Sequence, residues 1–331
     1  MPSPVEELRD AIAAAQTVVI SGHKGPDGDC IGAALALMNG LRAIGKEVTV
    51  FSNDSVPQIV RFLPGADRVV HLPGTPESAE ASIAGKTWDL GILVDVGFTQ
   101  RAGKAEPALI QAETLAVVDH HELGPDTAGE IRIIDARASA TCLILADIFE
   151  DIGLSIDKKV ATCLLTGIVT DTGSFRFRNT DAASLSAASR LVGLGADLAK
   201  INEEVWDSRP LDAIRLLTTA FEKMEFRSAS RLAVTHLDLT DYDGAMDEHT
   251  EGIASEVARI KGVLVAAVFR EPKLGNVRVS VRSRGDIDIA EVCRKFGGGG
   301  HKNAAGCTFL SSVEDAMTQM VPALEACLES S

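Results

Sequence analysis

The chain has 331 residues, 46% of them apolar and 24% charged, and a formal net charge of −15. That length suits two domains of ordinary size, each with a core of its own, and the acidity argues against a protein that coats long nucleic acid through a broad basic face. No apolar run reaches membrane-span length, the acidic start lacks a signal-peptide core, and six cysteines without a Cys-x-x-Cys pair read as reduced thiols of a cytoplasmic protein with no structural zinc.

Residues 5–15 read as a short amphipathic helix and Thr17 to Ile20 as a strand. The stretch His23-Lys24-Gly25-Pro26-Asp27-Gly28-Asp29 then places an imidazole and two carboxylates in a tight loop before a helix over about 30–43. Hard carboxylate oxygens with an imidazole suit Mn²⁺, Mg²⁺ or Zn²⁺. By itself the stretch reads equally as a polar turn in which Asp29 caps the helix. Strands follow at 47–51 and 68–72, then a small, polar segment over 73–86 with a short helix. The apolar runs Trp88 to Val94 and Thr114 to Val118 each end in metal-capable residues, Asp95 and Asp119-His120-His121. Strands alternating with helices predict a parallel sheet flanked by helices.

Helices are expected at about 139–151, 157–171 and 181–194, with a mostly helical connector over 196–225 interrupted at Pro210. A second α/β segment starts near Ser230. It has a strand at 232–237, a helix at about 248–261, a hairpin of strands 262–270 and 276–283, a helix at about 287–295, a glycine run and a closing helix at about 312–328. The domains are therefore placed at 1–190, 226–331 and a helical linker at 191–225, with the active site expected in the cleft between the two domains.

In a parallel sheet the strand ends that carry His23, Asp27, Asp29, Asp95, Asp119, His120 and His121 lie along one rim. Asp171 is a further acid in an otherwise apolar helical stretch, costly there unless paired or bound to metal. So many carboxylates and imidazoles suit two divalent ions sharing a carboxylate, which can hold a hydroxide for in-line attack on phosphorus. The second cluster is Gly297-Gly298-Gly299-Gly300-His301-Lys302. From Arg259 to Lys302 there are ten lysines and arginines against four acids, a net of +6 within an acidic chain. Glycines let backbone N–H groups approach an anion, so this lobe is expected to hold phosphate. It is not a Walker A loop, which would end Gly-Lys-Ser/Thr. His71, His236 and His249 read as structural or solvated. Aromatic residues total 4%, which argues against a long single-strand stacking groove.

The motifs His23-x-x-x-Asp27-x-Asp29, Asp95, Asp119-His120-His121 and Asp171 resemble the four motifs of the DHH phosphoesterase superfamily. Arg278 to Gly306, with Val281-Arg282-Ser283 and the Gly-Gly-Gly-Gly-His block, resembles the DHHA1 domain. Both domains in a chain of this length are similar to the stand-alone oligoribonuclease/pAp-phosphatase (nanoRNase) branch. The resemblance implies a Mn²⁺-preferring pair of ions, with Mg²⁺ or Co²⁺ as substitutes. One ion would take His23, Asp27 and Asp95; the other would take Asp29, Asp95, His120 and Asp171. His121 would contact the scissile phosphate, and Asp119 would orient a histidine. Arg282, Ser283, Gly298, Gly299, Gly300 and His301 would hold the substrate. The implied reaction releases 5′-mononucleotides from very short RNA, or the 3′-phosphate of 3′-phosphoadenosine 5′-phosphate (pAp). A linear or cyclic dinucleotide is the alternative substrate, and a non-catalytic nucleotide- or tRNA-binding module is the alternative of another class. A homodimer fits this branch. The chain departs from the pattern at Val96-Gly97 after Asp95 and at Ala138 to Leu143, where a glutamate is expected.

Overall fold

The structure, a computed structural model, describes residues 2–329 except Pro73, Leu123, Pro125 and Asp126; the side chains of Pro76, Ala79 and Glu80 are also outside the description. The chain forms two compact units, Met1–Ser208 and Arg209–Ser331.

The first unit runs α1 (Pro4–Ala14), β1 (Thr17–Ser21), α2 (Gly28–Ala43), β2 (Glu47–Ser52), β3 (Val70–His71), α3 (Pro76–Ile83), β4 (Leu90–Val94), α4 (Glu106–Ile110), β5 (Thr114–Asp119), β6 (Ile131–Ile134), α5 (Thr141–Ile148), α6 (Lys158–Asp171), α7 (Ala182–Gly193) and α8 (Leu198–Asn202). Its six strands are all parallel in the order β3-β2-β1-β4-β5-β6. The order reverses at β1, so the crevice between the carboxyl ends of β1 and β4 is the place where such sheets bind ligands. The strands are buried on both faces, as parallel strands under helices must be. Val18 and Ile20 of β1, Leu90 and Ile92 of β4 and Ala116 and Val118 of β5 join one core with α2, α5 and α6. Val19, Leu93 and Val117, one residue out of phase, join the other with Trp88 and Leu109.

The second unit holds α9 (Leu211–Glu222), β7 (Glu225–Arg227), β8 (Leu232–Leu237), α10 (Ile253–Ala258), β9 (Val265–Lys273), β10 (Asn276–Ser283), α11 (Ile289–Lys295), β11 (Gly299–His301), β12 (Ala304–Phe309) and α12 (Val313–Glu329). The sheet order is β11-β12-β10-β9-β8-β7, antiparallel except for β8 against β9. Val277, Val279 and Val281 face α11 and α12, while Arg278, Ser280 and Arg282 alternate to the opposite face.

Several elements depart from the sequence reading. The helix expected at about 248–261 splits into a 3₁₀ turn at Asp247–Thr250 and α10, because Gly252 between them takes φ +82°. The strand expected at 68–72 keeps only two paired residues. Strand β6, at an edge of the first sheet, and strand β7, at an edge of the second, were not expected. The glycine run, expected to hold phosphate, pairs in part as strand β11 with β12, Gly299 opposite Gly306 and His301 opposite Ala304. A Cβ at Gly298 would overlap the Gly306 carbonyl oxygen. Gly298 and Gly300 therefore permit a close backbone approach within the sheet, whereas an added Cβ at Gly299 would meet open space.

Helices α2 and α6 also approach closely. A Cβ at Gly167 would overlap Cys142 Sγ and lie 2.6 Å from Asp29 Oδ1. Gly167→Ala should therefore cost about 1–3 kcal/mol of stability by overpacking. Gly193→Ala, with nothing within 4 Å of its added methyl group, should leave stability unchanged or raise it by up to about 1 kcal/mol. Urea unfolding of the two variants checks the contrast.

Candidate metal centre

Backbone geometry delivers the acids and imidazoles. Asp27 caps α2, its Oδ1 accepting from Asp29 N at 3.1 Å and Cys30 N at 3.0 Å. The cap is thus Asp27 and not Asp29. The loop before it is fastened by Asp54, whose Oδ2 accepts from Gly25 N at 2.8 Å. Asp29 is fully buried and points at the start of α5, where Thr141 N (2.6 Å) and Cys142 N (2.9 Å) donate to its two oxygens. The residue preceding α5 is Ala140, which has no capping side chain. Asp29 therefore caps α5 across 112 residues of chain, and an anion at a helix N-terminus is favourable.

Asp95 follows β4, is 2% exposed and takes φ +60°. Aspartate tolerates the left-handed region better than most residues, at a cost of about 1–3 kcal/mol that the surroundings must impose. The turn aims the carboxylate between two imidazoles. His23 Nε2 lies 3.3 Å from Asp95 Oδ2, and His120 Nε2 lies 3.5 Å from Oδ1. Thr141 Oγ1 donates to Oδ1 at 3.0 Å. His120 Nε2 also reaches Asp171 Oδ2 at 3.3 Å, and His23 Nε2 stands 4.0 Å from Asp27 Oδ1. The Nδ1 atoms of His23 and His120 meet backbone carbonyls, of Lys24 at 2.9 Å and Ala138 at 3.2 Å. A proton held there leaves each Nε2 as a ligand atom facing the acids.

His121 is set differently. Its Nδ1 lies 2.6 Å from Asp119 Oδ1, which also accepts the His121 backbone N–H at 3.1 Å. The histidine that Asp119 orients is thus His121. Asp119 is fully buried, and its Oδ2 has no hydrogen-bond partner among the described residues.

The electrostatics are one-sided. Among the described residues, imidazoles meet these acids and no lysine or arginine does. Burial first, then the neighbouring carboxylates, pushes Asp95 and Asp171 well above the ordinary carboxylate range. Burial raises Asp29 too, with His120 pulling the other way. Asp171 sits at the carboxyl end of α6, where the helix dipole also disfavours an anion. Three groups have ligand atoms within 4.8 Å of one another: His23/Cys30/Asp95, Asp95/His120/His121 and Asp29/His120/Asp171. They overlap at Asp95 and His120. Buried carboxylates with no lysine or arginine beside them among the described residues, together with imidazoles whose far nitrogens are fixed, are the donor set a divalent cation requires.

The sequence reading missed Thr141, Cys30 and Cys142 at this centre. No local signal marks them, since each contributes through a contact made by folding.

The second unit carries the residues expected to hold substrate. Arg282 is half-buried, its Nη1 donating to the Val281 carbonyl at 3.0 Å; burial first, then Arg270, lowers its pKa. Ser283 Oγ donates to Ile287 O and accepts from Asn303 Nδ2, both at 2.8 Å, so it braces the turn beneath β11. His301 is exposed at the end of β11. An open cavity of about 370 Å³ is lined by Arg270, Arg278, Gly297, Gly298, Gly306 and Thr308, among others. Arg270 and Arg278, which contribute to the local excess of positive charge, were not singled out by sequence.

Residues 17–168 match the DHH family, N-terminal domain, and residues 231–330 match the DHHA1 domain. The chain is similar to a bifunctional oligoribonuclease and PAP phosphatase, NrnA, of Thermus thermophilus, 31% identical over 88% of this chain and 83% of that one. It is also similar to the cyclic-di-AMP phosphodiesterase PdeA of Listeria monocytogenes, 28% identical over 97% of this chain and 49% of that one. The crystal structure of an exopolyphosphatase-related protein from Bacteroides fragilis matches 99% of this chain and 96% of its own, with a TM-score of 0.88 and 25% identity.

Thr141 tests the centre without replacing a proposed ligand. Thr141→Val removes the hydroxyl donor to Asp95 at nearly constant shape, and should weaken Mn²⁺ binding by about 10–100-fold. Thr141→Ser should restore it, with calorimetric titration as the measurement.

Proposed function

This chain belongs to the DHH phosphoesterase family and carries its DHHA1 domain, and from that premise we propose that it hydrolyses very short oligoribonucleotides to 5′-mononucleotides and removes the 3′-phosphate of pAp with two Mn²⁺ ions. It is a hydrolytic enzyme, which replaces the reading as a non-catalytic binding module. The observation that carries the proposal is the meeting of His23, Asp95, His120, Asp29 and Asp171 at the carboxyl rim of a parallel sheet, with no lysine or arginine paired to them among the described residues. The similarity to NrnA supports the substrate class.

Divalent ions in this centre would polarise the phosphoryl group and lower the pKa of a water. The residues do the rest. Asp95 stands between the two half-sites and belongs to both. Asp27, beside His23, completes the first, and Asp29 and Asp171 complete the second. His121, held by Asp119 through Nδ1, directs Nε2 towards the substrate. There it contacts a phosphate oxygen and delivers a proton to the departing oxygen. In the second unit, Arg282, His301 and the hairpin of Gly298, Gly299 and Gly300 bind the substrate's far phosphate or sugar, with Ser283 bracing them. A charged pocket of limited size favours a short anionic substrate over a long strand.

The purified chain with Mn²⁺ should cleave two- to five-nucleotide RNA and release phosphate from pAp, and chelation should abolish both activities. No turnover with metal bound would sink the assignment. His121→Ala should lower kcat by about 10²–10⁴-fold while Mn²⁺ stoichiometry holds. Loss of metal binding in that variant would instead make His121 a ligand. Arg282→Ala should raise KM with little change in kcat, the mark of a lost binding contact. The second reading, a linear or cyclic dinucleotide substrate, is favoured by the similarity to PdeA. Side-by-side kcat/KM values on pAp, diribonucleotides and cyclic-di-AMP rank the two.

A further inference from the structure

One donor in the centre is of a different kind from the rest. Cys30 lies on the first turn of α2 and is 2% exposed. Its Sγ, a ring nitrogen of His23 and a carboxylate oxygen of Asp95 all lie within 4.8 Å of one another. The sulfur lies against the Gly22 backbone, in space that a Cβ there would fill. The other two overlapping groups contain only imidazole and carboxylate donors. Cys142, the neighbouring thiol, is turned away into a hydrogen bond with the Asp29 carbonyl at 3.5 Å. The two halves of the centre therefore differ in softness as well as position. Thiolate sulfur prefers Zn²⁺, Cd²⁺ and Co²⁺, whereas carboxylate oxygen suits Mn²⁺ and Mg²⁺.

We propose that Cys30 joins His23, Asp27 and Asp95 in a mixed imidazole–thiolate–carboxylate half-site that accepts Mn²⁺ but takes a thiophilic divalent ion in preference when both are supplied, while Asp29, Asp95, His120 and Asp171 keep a hard one. The inference rests on the two-ion reading of the centre. Coordination forms one bond from sulfur to metal and releases the thiol proton to solvent, with no change of oxidation state. The protein would then carry two different ions at saturation when Zn²⁺ and Mn²⁺ are both supplied.

The full chain, stripped of metal by chelation, is titrated with Co²⁺ alone and followed by absorbance. A sulfur-to-cobalt charge-transfer band in the near ultraviolet is expected in the wild type. It should persist in Cys142→Ser and vanish in both Cys30→Ser and Cys30→Ala. Cd²⁺ affinity should fall on the order of tenfold in the Cys30 variants, the scale on which a site's own groups tune metal binding, with Mn²⁺ binding at the other half-site unmoved. Circular dichroism checks that the variants fold. A wild type that binds two Co²⁺ without the band, or a band that survives loss of Cys30, overturns the inference and leaves the two-ion reading standing. A wild type that binds neither Co²⁺ nor Mn²⁺ overturns the two-ion reading itself.

Discussion

Five aspartates are brought to one rim of the N-terminal sheet, where among the described residues imidazoles and no lysine or arginine meet them. Isolated ionised carboxylates in a low-dielectric site carry a large solvation penalty, and mutual repulsion adds to it. The rest of the first unit is arranged to bear this. Two backbone N–H groups hold Asp29, a threonine hydroxyl holds Asp95, and Asp119 is locked to His121. No lysine or arginine takes part in these contacts. The centre is thus built to a specification that a divalent ion meets and a side chain does not.

The scaffold achieves this by using element ends. Strand ends β1, β4 and β5 set His23, Asp95 and the Asp119–His121 run side by side, because all six strands point the same way. Helix ends supply the rest. Asp27 caps α2, Asp29 caps α5 from afar, and Asp171 closes α6 at the end where an anion is least welcome. Gly28, Gly32 and Gly167 let α2, α5 and α6 come close enough for those ends to meet.

Much of this was legible in the sequence, for a physical reason. Apolar runs buried on both faces and ending in acids leave little choice but parallel strands with a polar rim, so β1, β4, β5 and their terminal residues could be read directly. Contacts that exist only after folding could not. The Asp29 cap on α5 spans 112 positions, and Ala140 gives no hint that a cap is needed from elsewhere. Strand β6, only Ile131–Ile134, lies at a sheet edge and is too short for its alternation to stand out. The backbone role of the glycine run could not be read from sequence. Glycine permits both an anion cradle and a tight backbone crossing, and only the pairing of β11 with β12 distinguishes the two. The break between Thr250 and Ile253 likewise turns on one glycine in a left-handed conformation.

The left-handed backbone at Asp95 has an evolutionary corollary. Asparagine is the other common residue at ease in that conformation, and a single nucleotide change separates its codons from those of aspartate. The easiest way to silence this centre is therefore one that the fold hardly notices. Descendants that keep the architecture and shed the chemistry are reached in one step, and a lineage recruiting this scaffold for ligand sensing would find that door already open.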